Sequence, residues 1–249
     1  MDINGTLDVY TGALDLATNN NDMNVAGDIF ILGSTTSTSI NPTISKGTGT
    51  ITFDGDLTYE ASGNTGYNFG NIVIGASPDI TDLASTFTAQ SLTISDRDIF
   101  RTNGYEVNIQ EFITVHGTFN AYSGVDGNSA ITLGTSWTIG NTGSFYSAGS
   151  TVTFEGSINS IDITSLDQTF DNVTFNDLDG GTTWTLQSTM NMVGDLRLQA
   201  GTLADNGELI TIGGSWMNTG GSYTATGNVL MNTTTTAVIT SNGGAFNDL

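Results

Sequence analysis

The sequence predicts an all-β fold, a right-handed parallel β-helix of about ten to twelve coils. Three observations support this prediction. Short alternations of apolar and polar residues recur about every 8–12 residues, separated by Gly and Asn turns. No stretch sustains a helical period, and a composition rich in Thr, Ser and Asn but poor in Lys disfavours helices. Parts of the sequence also return at long intervals, which is typical of stacked repeats.

The predicted strands are marked by apolar residues two positions apart, because such residues share one face of a pleated strand. Two irregular stretches interrupt them. Residues 34–48 are polar and contain Pro42, and a second such stretch begins at Pro78. In chain order the alternating pairs are Leu7/Val9, Leu14/Leu16, Met23/Val25, Ile29/Ile31, Ile51/Phe53, Leu57/Tyr59, Ile72/Ile74, Leu92/Ile94, Val107/Ile109, Ile113/Val115, Val152/Phe154, Ile161/Ile163, Val173/Phe175, Trp184/Leu186, Met190/Met192, Leu196/Leu198 and Ile210/Ile212.

The long repeat is clearest in residues 134–157, which return in degraded form at 213–232. Phe69, Phe170 and Phe246 occupy equivalent positions in three copies, and the third copy follows the second at a shorter interval than the second follows the first. Unequal offsets suit inserted or deleted coils. They do not suit the alternative fold, a tandem of antiparallel β-sandwiches, which would repeat at a constant domain length.

The repeats also predict how the chain is organised. Residues 1–14 match 190–203 without a gap, and the degenerate copies cover roughly 1–90, 91–189 and 190–249 of one continuous solenoid spanning residues 1–249. The chain begins at one phase of the repeat and stops at another. We therefore expect it to be a segment of a longer repetitive protein or, alternatively, a subunit that stacks head to tail.

Composition limits the partners. The formal net charge is −21, with only four Lys and Arg, so binding to nucleic acid or to an anionic membrane surface is not expected. There is no Cys, which excludes disulfides and thiolate chemistry. No apolar run is long enough to predict a membrane span. Divalent cations and cationic surfaces are the compatible partners.

Calcium is the one cofactor that the sequence suggests, since Asp and Asn on Gly-rich turns supply the oxygen ligands of a hard cation. The EF-hand pattern is absent, and ordinary Asp/Gly turns would explain the same residues. No other cofactor is predicted. The candidate metal ligands are Asp54, Asp56, Asp126, Asn128, Asp177 and Asp179.

No residue is predicted to be catalytic. His116, the single histidine, has no accompanying Ser or Cys motif. The cluster at residues 96–98 with Arg101 could serve an Arg- and calcium-dependent lyase, but a local ion-paired turn is the preferred interpretation. Asp177 and Asp179 would be the choice for a glycosidase pair, whose separation the sequence cannot give.

Three tryptophans, Trp137, Trp184 and Trp216, would form a strip for stacking on sugar rings if they faced outward. Two of them, Trp137 and Trp216, recur at one repeat position, which more often indicates a role in the core.

A further set of repeated residues resembles the repeats of large bacterial surface and secreted β-helix proteins, of the filamentous-haemagglutinin and autotransporter-adhesin kind. The residues that carry the resemblance are Trp137, Asn141, Gly143, Phe145, Val152, Phe154, Gly156, Phe170, Asn172, Leu196, Leu198, Gly201 and Leu203. The resemblance implies an extracellular, elongated protein with a structural or adhesive role and no catalytic residue.

We therefore expect a non-enzymatic solenoid of a cell-surface fibre or head-to-tail filament, whose partners are copies of itself and surface glycans. The alternative is a carbohydrate-active β-helix, either a polysaccharide lyase or a glycoside hydrolase.

Overall fold

The computed structural model describes residues 1–33, 41–62, 67–75, 78–122, 128–156, 158–177 and 179–249. These residues form an all-β structure without a helix. The first strands in chain order are β1 Asp2–Ile3, β2 Leu7–Val9, β3 Ala13–Asp15, β4 Met23–Val25, β5 Ile29–Leu32, β6 Thr43–Ser45, β7 Thr50–Phe53, β8 Leu57–Ser62, β9 Asn71–Ile74, β10 Ile80–Leu83 and β11 Phe87–Ala89.

The central strands are β12 Ser91–Ile94, β13 Ile99–Arg101, β14 Val107–Ile109, β15 Ile113–Val115, β16 Thr118–Asn120, β17 Ala130–Leu133, β18 Trp137–Ile139, β19 Ser144–Tyr146, β20 Thr151–Phe154, β21 Ser160–Thr164 and β22 Thr169–Phe170. The last strands are β23 Asn172–Asn176, β24 Thr183–Leu186, β25 Met190–Met192, β26 Leu196–Ala200, β27 Thr202–Ala204, β28 Ile210–Ile212, β29 Trp216–Asn218, β30 Ser222–Thr224, β31 Val229–Met231 and β32 Ile239–Thr240.

Successive strands take turns on three faces of a solenoid. Face 1 is an eleven-stranded sheet that runs from β1 to β30. Face 2 is a seven-stranded sheet, β2 to β19, followed by a four-stranded sheet, β22 to β31. Face 3 is the pair β3 and β6 followed by an eight-stranded sheet, β11 to β32. In the third turn, where face 3 has no named strand among the described residues, a parallel bridge joins Asn68 to Thr88.

The strand pairing confirms the predicted β-solenoid. The paired strands of the described residues are all parallel, which contradicts the antiparallel sandwich alternative. The length of a turn varies along the chain, from short turns such as the one between the partners Thr183 and Thr202 to long turns such as the one between Ala13 and Thr43. Because face 1 has eleven strands one turn apart, the chain winds about ten times.

The core is continuous along the stack, because alternate residues of each strand point inward. On face 1, Ile72, Leu92 and Ile113 are directly stacked, and each is at most 1% exposed. Each such aliphatic side chain contributes about 1.5–3 kcal/mol of burial free energy. Two groups of aromatic rings in edge, tilted and stacked contacts pack within this core. The first contains Phe87, Phe100, Phe119, Trp137, Phe145 and Phe170. The second contains Phe154, Phe175 and Trp184.

The interval between copies of the sequence repeat is not a whole number of solenoid turns. The equivalent residues Ile51, Val152 and Val229 lie on β7, β20 and β31, which belong to faces 1, 3 and 2. Trp137 and Trp216 likewise lie on different faces, in β18 and β29. Each copy therefore steps to another face, and the same motif is presented in a different direction around the axis. The two repeat offsets differ by about the length of one turn.

Candidate functional site

The corners between faces use carboxylates to complete the backbone hydrogen bonding. Where the chain turns, the Asp56 carboxylate accepts a hydrogen bond from the Ile80 N–H of the next turn at 2.8 Å. Asp28 accepts from the Thr58 N–H at 2.7 Å, and Asp195 from the Ser215 N–H at 2.8 Å. A backbone N–H that the ladder leaves unpaired is costly to bury. Much of the acidity of this chain thus has a structural purpose, because carboxylates link adjacent turns.

Asp177, one of the candidate metal ligands, is such a corner residue. It is 2% exposed, and its Oδ2 accepts the N–H groups of Gly181 at 2.7 Å and Thr182 at 2.6 Å. Its Oδ1 accepts the Asp179 N–H at 3.1 Å. Burial raises the pKa of Asp177, but the hydrogen bonds from Gly181 and Thr182 lower it by a larger amount. The resulting pKa is about 2. The carboxylate is therefore charged, and both of its oxygens already accept N–H groups of the same corner.

The remaining candidate metal ligands lie at three separate corners. Asp54 and Asp56 follow β7, Asn128 precedes β17, and Asp179 is an exposed neighbour of Asp177. Asp126 lies outside the described residues. Among the residues that the structure describes, no three His, Asp or Glu side chains are grouped to hold a metal ion. Calcium binding at these turns stays a prediction, which calorimetric titration of the metal-free chain with CaCl₂ would test.

Asp205 is a second fully buried carboxylate. It accepts hydrogen bonds from the N–H groups of Gly207, Thr226 and Gly227 at 3.1, 2.9 and 2.7 Å, and from the Thr226 hydroxyl at 2.6 Å. The Tyr223 hydroxyl donates to its other oxygen at 2.5 Å. Burial raises the pKa of Asp205, but the hydrogen bonds lead to a net lowering. Its charge is stabilised entirely by neutral donors.

The cluster at residues 96–98 lines a cleft of about 670 Å³ that also includes Ser95 and Thr52. Asp98 is 1% exposed, and its Oδ1 accepts the Asp79 N–H at 2.9 Å. Oδ2 of Asp79 is buried and has no hydrogen-bond donor among the described residues. Arg97 pairs with the exposed Asp96 at 3.5 Å. The ion-paired turn expected from the sequence is therefore present for Asp96 and Arg97, whereas Arg101 pairs with Asp82 of the preceding turn at 3.5 Å. The carboxyl groups of Asp79 and Asp98 lie beside the turn.

Both of these carboxyl groups have a raised pKa. Burial raises the pKa of Asp98 most, and the nearby charges of Asp79 and Asp96 raise it further, against the lowering effect of the Asp79 N–H hydrogen bond. Burial also raises the pKa of Asp79, with added repulsion from Asp56 and Asp54. The acidic charge at this cleft is thus poorly compensated.

The three tryptophans form no strip on the surface, and the core role indicated by the repeated position of Trp137 and Trp216 is confirmed. Trp137 and Trp184 are completely buried and Trp216 is 1% exposed, so all three fill the core. Indole rings are large apolar groups, and each lies at an inward position of its strand. His116 is exposed at the corner after β15, where its ring lies against Gly140.

Sequence reasoning missed a groove on face 2, which we call the tyrosine groove. It has a volume of about 540 Å³ and is lined by Asn120, Tyr122, Phe145, Tyr146, Ser147, Ala148 and Thr169. Tyr122 and Tyr146 are 58% and 59% exposed, although most aromatic residues of this chain are buried. The signal was present in β19, since strand alternation allows only one of the adjacent Phe145 and Tyr146 to point inward.

The tyrosine groove lies where the sheet of face 2 is interrupted. The seven-stranded sheet ends at β19 and the four-stranded sheet starts at β22, so these consecutive strands of the face do not form a ladder. The Phe145 N–H donates instead to the side-chain Oε1 of Gln168 at 3.1 Å. On the other side, β19 remains paired with β16, with Asn120 opposite Tyr146. The interruption leaves the hydrogen-bond ladder of face 2 incomplete between the seventh and eighth turns, although the inward rings of Phe145 and Phe170 remain in contact there.

No protein-family model matches the chain, and no curated protein or solved structure does so either. No helix of the described residues is long and apolar enough to cross a membrane.

Proposed function

We propose that this chain is a non-enzymatic, extracellular structural solenoid with an adhesive surface, acting as part of a cell-surface fibre. The observation that carries the proposal is the continuous stack of turns. The parallel sheet of face 1 and one apolar core continue through the described turns, and many of the acidic groups serve to join one turn to the next. Such an architecture transmits force along its axis, because each turn is bonded to both of its neighbours.

The shape of the chain in solution tests the structural part. Ten turns at the spacing of parallel strands give a length of roughly 50 Å. We expect small-angle X-ray scattering to give an elongated particle whose longest dimension is close to that length. A set of separate globular beads, or a disordered chain, would overturn the structural role.

Self-association tests the fibre part. At one end of the stack the outer edges of β1, β2 and β3 pair with no other described strand, and such edges recruit further strands. The Leu7 N–H donates to the backbone carbonyl oxygen of Asp28 in the next turn at 2.8 Å, so the N–H of the next residue, Asp8, points away from the stack. A second copy could continue the parallel pairing there.

The substitution Asp8→Pro blocks this edge without removing a hydrogen bond of the stack, because Pro lacks only the outward N–H. Asp8→Asn is the matched control, since it removes the same charge and keeps the N–H. We expect concentration-dependent association in sedimentation velocity for the unmodified chain and for Asp8→Asn, and its loss in Asp8→Pro. Association that survives Asp8→Pro would argue against pairing at this edge.

The extracellular location follows from the resemblance to bacterial surface β-helix proteins and from a surface rich in Thr, Ser and Asn with few cations. Antibody labelling of intact cells of the source organism tests it. Labelling only after the cells are permeabilised would contradict the location.

A second candidate function is a carbohydrate-active β-helix, favoured by the cleft beside Asp98. A carboxyl group with a raised pKa can act as a general acid, and both Asp79 and Asp98 have a raised pKa. The two residues are adjacent, because the Asp79 backbone N–H donates to the Asp98 carboxylate at 2.9 Å. Product formation on a panel of neutral and acidic polysaccharides, with and without calcium, would establish it if the activity is lost in Asp98→Asn. Activity that persists in Asp98→Asn would place the reaction elsewhere.

A further inference from the structure

We propose that the tyrosine groove binds an uncharged polysaccharide. The proposal rests on the adhesive part of the function proposed above and identifies the surface and the partner. It is carried by three features of the groove: its exposed aromatic rings, the absence of charge from its lining, and its position at the interruption of face 2.

The aromatic rings are the first feature. Tyr122 and Tyr146 belong to adjacent turns, and both line the same groove with more than half of their surface exposed. Exposing two large apolar rings costs hydration free energy unless a partner covers them. A tyrosine ring offers a flat apolar face together with a polar hydroxyl. A pyranose ring has the complementary character, with a flat face of C–H groups and a rim of hydroxyls.

The polar groups of the lining match the rim of a sugar. Ser147 and Thr169 supply hydroxyls, which donate and accept hydrogen bonds, at the two sides of the groove. The Asn120 amide oxygen accepts the Tyr122 N–H at 2.9 Å, which fixes the orientation of the amide in the lining of the groove. A lipid acyl chain would bury these polar groups without forming hydrogen bonds to them, and an unpaired polar group is costly to bury.

The absence of charge is the second feature. None of the lining residues of the tyrosine groove is ionised at neutral pH. By contrast, four other clefts among the described residues each contain at least two carboxylates. An acidic polysaccharide or a phosphate-bearing ligand would meet no cation here and would be repelled by a chain of net charge −21. The partner that fits is therefore neutral.

The open position of the groove favours a polymer over a small molecule. A site that binds a small molecule tightly usually covers about 70–90% of its surface. Tyr122 and Tyr146 are more than half exposed, so the groove does not enclose a small ligand in this way. A polysaccharide can instead bind weakly to many copies along a fibre and gain affinity through multivalency. The interruption between β19 and β22 provides a trough in an otherwise continuous sheet for such a chain.

Affinity electrophoresis of the full chain tests the proposal. The gels contain hydroxyethylcellulose, mixed-linkage β-glucan or galactomannan as neutral polymers, and alginate or polygalacturonate as acidic ones. We expect at least one neutral polymer to retard the chain and neither acidic polymer to do so. Retardation by the acidic polymers alone, or by none of the five, would overturn the proposal.

Substitutions locate the site. Tyr122→Ala and Tyr146→Ala should each weaken binding about tenfold, the effect of losing about 1.4 kcal/mol of contact, and Tyr146→Phe should retain binding because it keeps the ring. Tyr10→Ala is the matched control, since Tyr10 is 54% exposed on the first turn, far along the stack. Equal binding by Tyr122→Ala, Tyr146→Ala and the unmodified chain would contradict the assignment.

Two further measurements separate this proposal from the structural role. All four variants should keep the circular dichroism spectrum and the scattering-derived length of the unmodified chain, because the altered side chains lie outside the core. Loss of the neutral-polymer binding with an unchanged length supports the assignment of the groove. An elongated particle that binds no polymer would remove the glycan assignment and leave the structural proposal standing.

Discussion

At the scale of single residues, the acidity of this chain is explained more by backbone chemistry than by ligand binding. Asp205 illustrates the point, because a fully buried carboxylate receives hydrogen bonds from three N–H groups and two hydroxyls without any cation. Asp177 likewise accepts the N–H groups of Gly181 and Thr182, which belong to its own corner. Each carboxylate replaces the ladder partners that the backbone loses at a corner.

Asp205→Ala should lower the free energy of unfolding by about 3 kcal/mol at pH 7, because several buried donors lose their acceptor. The folded-state pKa of Asp205 lies below the ordinary value of 3.8, so its charged form stabilises the fold above that pH. The difference in the free energy of unfolding between the variant and the unmodified chain should therefore shrink as the pH falls through and below 3.8. Urea denaturation at pH 7, 5 and 3 measures it.

The exposed Asp179 provides the control for this experiment. Asp179→Ala should change the free energy of unfolding by no more than about 0.5 kcal/mol. A comparable loss in both variants would mean that the effect comes from net charge and not from the buried hydrogen bonds.

Asp98 is predicted to have the opposite effect on stability. Its folded-state pKa is raised, so its charged form destabilises the fold at neutral pH, and this cost disappears below the ordinary value of 3.8. Asp98→Asn removes the charge and can still accept the Asp79 N–H. We expect the variant to be more stable by about 1 kcal/mol at pH 7, and equal to the unmodified chain near pH 3.

The control for Asp98 is Asp162→Asn, which removes an exposed charge that accepts a hydrogen bond from the Gln187 side chain at 2.8 Å. It should not alter the stability at either pH by more than about 0.5 kcal/mol. If Asp98→Asn were less stable at pH 7, the charged carboxylate would have to be a net source of stability.

At the scale of elements, the strands follow from the sequence, but the corners do not. Apolar alternation is enough to identify strands such as β7 and β12, since inward positions need large apolar residues. The corners depend on which N–H of the neighbouring turn each side chain reaches, and that neighbour lies a whole turn away in the chain, at a distance that varies from turn to turn. This is why the sequence could not show which Asp side chains of the Asp–Gly turns, such as that of Asp177, accept backbone N–H groups. It is also why the tyrosine groove, formed from three turns, left only a weak local signal.

Gly117 tests how closely the corners are packed. A methyl group at this position would lie 2.2 Å from the Ser95 carbonyl oxygen and 2.3 Å from that of Asp98, both in the preceding turn. Gly117→Ala should therefore lower the free energy of unfolding by about 2 kcal/mol or more. Gly5→Ala, with no atom within 4 Å of the added methyl, should be neutral or slightly stabilising. Thermal unfolding of the two variants gives the comparison.

At the scale of the whole molecule, the turn and the sequence repeat are separate periods. The repeat identified the solenoid correctly, yet equivalent residues such as Ile51, Val152 and Val229 lie on three different faces. The sequence could not reveal this shift, because the number of residues per turn varies with the corners. The inward positions nevertheless remain inward in every copy, since burial depends on strand alternation and not on which face the strand occupies.

Removal of one complete turn is accordingly predicted to be tolerated. Leu92 and Ile113 are register partners, so deletion of residues 92–112 joins Ser91 to Ile113 and places Ile113 directly on Ile72. The new neighbours are again apolar, and the stack shortens by about 4.8 Å. We expect this variant to unfold cooperatively, and solution scattering should show that its longest dimension is reduced.

Deletion of residues 92–102, about half a turn, shifts every later strand to a wrong face. It should abolish cooperative unfolding, because the inward side chains would no longer meet their partners. If both deletions behaved alike, the turn would not be the unit in which this solenoid is built.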